Sequence, residues 1–158
     1  MVLHISPADF SNADLVSFLS AHLDEMAPTA PAESRHALDV DALRAPGVRL
    51  WVAHDDGVLV GTVALASAGP GHEELKSMRA DPVRRGAGIG RALLQFAVSD
   101  ARKRGIRRLS LETGSMDFFA PARSLYRAAG FVECAPFGAY KPDPNSVFMT
   151  LEVETHTR

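Results

Sequence analysis

A chain of 158 residues with 46% hydrophobic and 23% charged residues is the size of one domain with its own core; residues 1–153 read as that domain and 154–158 as a tail. A formal net charge of −2 argues against general nucleic-acid binding, and the opening MVLHISPADF and the lack of any bilayer-length apolar segment argue against export and membrane insertion. One cysteine, Cys134, cannot form an internal disulfide, so a reducing cytoplasm is the expected compartment.

Residues 2 to 6 read as a short strand, and Ser6-Pro7-Ala8-Asp9 as the start of a helix with Phe10, Leu15, Phe18, Leu19 and Leu23 at apolar positions. A proline-containing loop, 26 to 32, leads to a second helical segment at about 33 to 43, which Pro46-Gly47 stops. From Leu50 the period changes to that of strands. Leu50 to His54, a turn at Asp55-Asp56-Gly57, and Val58 to Ala66 read as a β-hairpin. Gly69-Pro70-Gly71 then turns the chain into a third strand, His72 to Ala80. Its Glu73, Glu74, Lys76, Ser77 and Arg79 make it unusually polar for a sheet interior, where charge has to be paired or used.

The next stretch, Arg84-Arg85-Gly86-Ala87-Gly88-Ile89-Gly90-Arg91, opens an apolar helix. Glycines let backbone amides approach an anion, and a helix N-terminus directs free N–H groups and the positive end of its dipole at it. Arg102, Lys103, Arg104, Arg107 and Arg108 read as a solvated helix end and strand start. Arg84, Arg85 and Arg91 sit where cations oppose the dipole, which points to an anionic ligand; a tight strand-to-helix turn is the alternative. The helix carries Ile89, Leu93, Phe96, Ala97 and Ala101 on one face and ends at Gly105. Arg107 to Thr113 follows as a strand, with Leu109 and Leu111 on one face and Ser110 and Glu112 on the other. A helix from near Phe119, with Pro121 in its first turn, ends at Gly130, and Phe131 to Cys134 and Val147 to Val153 close the series as strands. The loop between them, Ala135 to Ser146, holds Phe137, Tyr140 and three prolines.

The order β-α-α-β-β-β-α-β-α-β-β describes an α/β chain with a mixed sheet and helices on both faces. A dinucleotide fingerprint needs G-x-G-x-x-G after the first strand of a parallel unit, whereas here the spacing is Gly86-x-Gly88-x-Gly90 behind a hairpin; the Gly-Lys-Ser/Thr of a P-loop is absent.

Arg85-x-x-Gly88-x-Gly90, preceded by a strand and Asp81-Pro82, and Ala122-x-x-Leu125-Tyr126-x-x-x-Gly130-Phe131 farther on, together resemble the GNAT superfamily of acyl-CoA-dependent N-acyltransferases. Glu74 to Arg79, Leu111 to Gly114, Pro121 to Arg123, and Pro136 through Met149 are similar to a bacterial subgroup of small stand-alone acetyltransferases, and the resemblance runs from about Leu50 to Val153. It implies a mostly antiparallel central sheet of six to seven strands flanked by helices, and acetyl-CoA as cosubstrate. Its pyrophosphate would lie against the segment Arg84, Arg85, Gly86, Ala87, Gly88, Ile89, Gly90 and Arg91. The backbone at Met78 and Ala80 would pair with the pantetheine arm, and a break in strand pairing there would free an N–H for the thioester oxyanion.

By the same resemblance Tyr126 donates a proton to the departing thiolate, with a packed aromatic as the alternative. An ammonium acceptor has to lose a proton before it attacks. Glu74 is the first candidate base and Glu112, on the neighbouring strand, the second; Glu73 and His72 abut a turn and rank below. Glu74 could instead form a structural salt bridge with Lys76 or Arg79 or bind the acceptor amine, and Met78 could be plain core. Residues 26 to 36, Phe118, Phe119, Phe137, Tyr140 and Lys141 are the expected surroundings of a small primary-amine acceptor. Cys134 reads as a buried hydrophobe, the histidines lack metal-ligand spacing so no metal is expected, and the protein is expected to be a monomer or homodimer. The competing class is a non-catalytic acyl-CoA sensor, which needs the anion cradle but neither proton-handling group.

Overall fold

The computed structural model describes residues 2–26, 40–84 and 86–154. The elements are β1 (Leu3–Pro7), α1 (Ala13–Met26), α2 (Val40–Leu43), β2 (Val48–Asp55), β3 (Val58–Gly69), β4 (His72–Ala80), α3 (Ile89–Lys103), β5 (Arg108–Gly114), α4 (Ala120–Ala128), β6 (Val132–Glu133) and β7 (Ser146–Glu152), with single 3₁₀ turns at Pro82–Arg84 and Asp117–Phe119. The seven strands form one sheet in the order β1-β2-β3-β4-β5-β7-β6, antiparallel except where β4 runs parallel to β5. Element order and sheet type are those expected. Among the described residues no helix is long and apolar enough to cross a membrane.

The period-2 pattern of the hairpin divides its side chains between two cores. Leu50 and Val52 of β2 and Ala64 of β3 pack with Leu15 and Leu19 of α1 and Leu43 of α2. Trp51, Ala53, Val63 and Leu65, one step out of phase, pack with α3 and with Tyr126 of α4. The β2–β3 turn needs left-handed backbone at both Asp56 (φ 49) and Gly57 (φ 78), which the Asp-Gly pair supplies. Helix α3 approaches the sheet over Gly61, where a Cβ would lie 2.6 Å from Leu93 Cδ1 and 2.9 Å from Ile89 Cγ2. It stops at a left-handed Gly105, with the Ile106 amide bonded back to Ala101 O at 2.9 Å.

Three sequence readings are corrected. Helix α1 begins at Ala13 rather than near Ser6, because Pro7 stays in β1 opposite Trp51, Asp9 takes the amide and hydroxyl of Ser11, and Asn12 accepts from the Asp14 amide. The penultimate strand shrinks to Val132–Glu133. Arg104 is no solvated helix end: it forks onto Glu73 (2.7 and 2.9 Å) and also bonds Asp100 at 2.7 Å. These bonds, the one to Glu73 first, hold its guanidinium firmly in the charged form. Of the second expected helix, only Val40–Leu43 lies within the described residues.

Candidate functional site

Strand β4 pairs with β5 only over His72–Glu74 against Arg108–Ser110. Beyond Glu74 the two strands part. On its other side β4 bulges: Thr62 faces Arg79 and Ala64 faces Lys76, so Ser77 and Met78 together oppose Val63. Ser77 takes a positive φ of 50, and its carbonyl is turned to accept from Thr62 Oγ1 at 2.8 Å. Divergence and bulge coincide, leaving a stretch of β4 backbone without a ladder partner on the β5 side in the middle of a sheet.

A cleft of about 500 Å³ opens at that stretch. It draws Met78, Arg79 and Ala80 from β4, Arg84, Gly86, Gly88, Ile89, Gly90 and Arg91 from the loop and first turn of α3, Phe118 and Phe119 from the second 3₁₀ turn, and Pro121, Ala122, Leu125 and Tyr126 from α4. Met78, Ala80, Arg84, Gly86, Gly88, Ile89, Gly90, Arg91 and Tyr126 are thus gathered around one cavity. Ala87 is exposed beside it, and Arg85 lies outside the described residues.

The glycines have different reasons. Gly86 and Gly88 adopt φ values of 83 and 81 with open space where a side chain would be. Gly90 is helical, and a Cβ there would stand 3.3 Å from Leu125 Cδ2, so its lack of a side chain lets α3 and α4 meet. Gly88 caps α3 with no side-chain hydrogen bond, so the first-turn amides have no capping oxygen from it. Arg84 does not depend on a ligand for a partner, contrary to the sequence reading: its Nη1 donates to Asp55 Oδ2 at 2.7 Å, at the hairpin turn. Arg91 is exposed.

Tyr126 takes a position compatible with both of its readings, proton donor at the site and packed aromatic. It is 6% exposed, its ring lies 5.9 Å from that of Phe131, and it lines the cleft. Burial raises its hydroxyl well above the usual phenol range, so it is a hydrogen-bond donor at neutral pH.

Glu74 and Glu112 lie on the sheet face opposite α3. Extending the β4–β5 register from Glu74 opposite Ser110 would set Lys76 level with Glu112 and, with the bulge counted as one step, Ser77 and Met78 level with Thr113, across the widening gap. Glu74 accepts from Tyr140 Oη at 2.5 Å and from Lys76 Nζ at 3.1 Å, and Lys76 also reaches Tyr140 Oη at 3.1 Å. The expected alternative of a Glu74–Lys76 ion pair is therefore present, with Tyr140 of the β6–β7 loop as a third member. The Tyr140 hydroxyl is pushed far above its ordinary value, by burial first and then by Glu74 and Glu112. Glu112 accepts from Ser146 Oγ at 2.6 Å. A second cavity, of about 620 Å³, is lined by Ser67, Ala68, Glu74 and residues 137–143 and shares no lining residue with the first.

Among the weaker base candidates, Glu73 points to the α3 side and is clamped by Arg104. His72 shares a 2.7 Å hydrogen bond with Ser110, and burial, then Arg108, holds its imidazole below the usual range. The expected acceptor surroundings divide. Phe137, Tyr140 and Lys141 line the Glu74 cavity, Phe118 and Phe119 line the cleft, and 27–36 lie outside the described residues. Burial raises the Cys134 thiol, as suits a structural cysteine.

The sequence model of the acetyltransferase (GNAT) family matches residues 12–131. The chain is 44% identical over 151 residues to the uncharacterized N-acetyltransferase YsnE of Bacillus subtilis, covering 96% of this chain and 100% of that one. It is 40% identical over 145 residues to the IAA acetyltransferase of Azospirillum brasilense, covering 91% and 92%. A Klebsiella pneumoniae crystal structure described as an acyl-CoA N-acyltransferase superposes with a TM-score of 0.81 at 29% identity, over 97% of this chain and 99% of that one.

Proposed function

The chain belongs to the GNAT acetyltransferase family and is an N-acetyltransferase; we propose that it transfers an acetyl group directly from acetyl-CoA to the primary amine of a small acceptor, with both bound at once. The observation that carries this reading is the single cleft onto which the unpaired edge of β4, the uncapped start of α3 and the Tyr126 side chain converge from three separate segments.

The residues present fit an acyl-CoA. Gly86 and Gly88 keep the loop free of side chains in front of the α3 amides, a surrounding suited to a pyrophosphate, with Arg91 adding charge at the rim. The open β4 edge at Met78 to Ala80 offers backbone groups to the amides of a pantetheine arm, in the manner of an added strand. The bulge at Ser77–Met78 reorients a peptide there, and a freed N–H is suited to an oxygen that gains negative charge. Bound acyl-CoA supplies an activated thioester.

The chain's own residues handle protons on both sides of the transfer. As the new C–N bond forms and the C–S bond breaks, the amine sheds a proton and the sulfur takes one up. Glu74, ordered by Tyr140 and Lys76 on the far side of the gap between β4 and β5, holds or receives the amine proton, directly or through water. Glu112, level with Lys76, is the alternative carboxylate. Tyr126 faces the sulfur side. With its hydroxyl held protonated and a free thiol near ~8.5, it acts by hydrogen-bond donation to the nascent thiolate more than by complete proton transfer.

Incubation with acetyl-CoA and a library of primary amines, following free thiol, tests the proposal. Acceptor-dependent CoA release is the expected result. A protein whose melting temperature rises with CoA but which releases none across the library would be a sensor instead.

A further inference from the structure

Phe119, half-exposed, lines the cleft from the 3₁₀ turn that follows β5. A Cβ on Gly114, the last residue of β5, would fall within the van der Waals envelope of the Phe119 ring, 3.1 Å from Cγ and closer still to Cδ2 and Cε2. The ring therefore occupies the volume that a side chain at 114 would take. It is held there. Arg123 Nη1 donates to the carbonyls of Gly114 (2.7 Å) and Met116 (3.0 Å), Ser115 Oγ ties the same turn to Pro144 O at 2.6 Å, and Phe118 packs edge-on against Phe119 at 4.9 Å.

The position matters because of the β4–β5 register. Carried forward from Glu74 opposite Ser110, with the Ser77–Met78 bulge counted as one step, it sets Gly114 one step beyond the bulge, and both Met78 and Phe119 line the same cleft. On the function proposed above, on which this rests, the thioester lies at the bulge, so the acyl carbons beyond the carbonyl head across the gap toward Gly114. We propose that Phe119, seated on Gly114, determines acyl-chain selectivity: it stops the cleft at the length of an acetyl group, and longer chains have to displace an anchored aromatic ring.

Dissociation constants for CoA, acetyl-CoA, butyryl-CoA and hexanoyl-CoA, measured calorimetrically on the wild-type protein and on Phe119→Ala and Phe119→Val, test this without knowledge of the acceptor. The wild-type protein is expected to bind CoA and acetyl-CoA comparably and hexanoyl-CoA at least about tenfold more weakly. Phe119→Ala is expected to bring hexanoyl-CoA within about threefold of acetyl-CoA while leaving CoA itself unchanged, and Phe119→Val to relax butyryl-CoA first. Phe119→Val keeps a branched apolar group on Gly114 and carries the test if the alanine variant does not fold. Equal wild-type affinity for acetyl- and hexanoyl-CoA, or a uniform loss across all four ligands in the variants, overturns the role of Phe119 alone. Failure of the wild-type protein to bind CoA overturns the reading of the cleft as well.

Discussion

Tyr140 and Glu74, 66 positions apart, meet through a 2.5 Å hydrogen bond that ties the long β6–β7 loop to the centre of the sheet. Glu73, the immediate neighbour of Glu74, is turned to the opposite face and clamped by Arg104. Strand alternation thus assigns two adjacent carboxylates to different work, one beside the gap between β4 and β5 and one to holding α3.

That division is testable by parallel substitutions. Glu74→Gln is expected to lower kcat/KM for an acceptor identified by the amine screen by about 10²- to 10³-fold, with the KM for acetyl-CoA unchanged, whereas Glu73→Gln retains near-normal turnover. Steady-state kinetics on both variants decide it, and equal losses would contradict the assignment.

Arg104→Ala is expected to reduce stability without impairing CoA binding. It removes the forked partner of a Glu73 side chain that is only 11% exposed, a change expected to cost about 2 kcal/mol in urea unfolding.

Gly88→Asp and Gly88→Asn separate strain from charge. Both place a short polar side chain at φ 81 with no neighbour within 4 Å, and each is expected to cost about 1 kcal/mol of stability. Only the aspartate sets a negative charge before the α3 amides, so its CoA affinity should fall at least about tenfold below that of the asparagine variant, as measured by calorimetry.

For Tyr126→Phe, the ring that packs against Phe131 is kept and only the hydroxyl is lost. Turnover is expected to drop about ten- to a hundredfold while acetyl-CoA affinity holds. An unchanged kcat in rapid-quench and steady-state assays would remove Tyr126 from the chemistry.

Tyr126, buried, and Tyr140, half-buried, also predict alkaline behaviour. Both hydroxyls are raised in the folded protein, so above the unfolded value of 10.0 the unfolded chain loses protons that the native state retains. Unfolding then releases protons, and stability falls as pH rises from there toward the folded values. Thermal midpoints should decline from about pH 10 in the wild-type protein and more gently in the Tyr126→Phe, Tyr140→Phe double variant.

The amino-acid sequence by itself determined the element order, the hairpin at Asp56-Gly57, the helix stops at Gly105 and Gly130, and the family, because each rests on local periodicity, turn chemistry or motif spacing. It also named Gly88, Gly90 and Tyr126, which line the cleft, since the two motif blocks carry them. It misread the roles of arginines and glycines. Arg84 and Arg104 find carboxylates at Asp55 and Glu73, 29 and 31 positions away, and Gly90 serves Leu125 of α4; a partner across the fold leaves no trace in local spacing. Only the tertiary structure decided which face each carboxylate of β4 takes, that Tyr140 rather than a nearer residue completes the Glu74 cluster, and that Phe119 fills the place of a side chain at Gly114. Those pairings depend on the point at which β4 and β5 part, and that point is set by sheet register and a bulge, properties of two strands packed together and not of either alone.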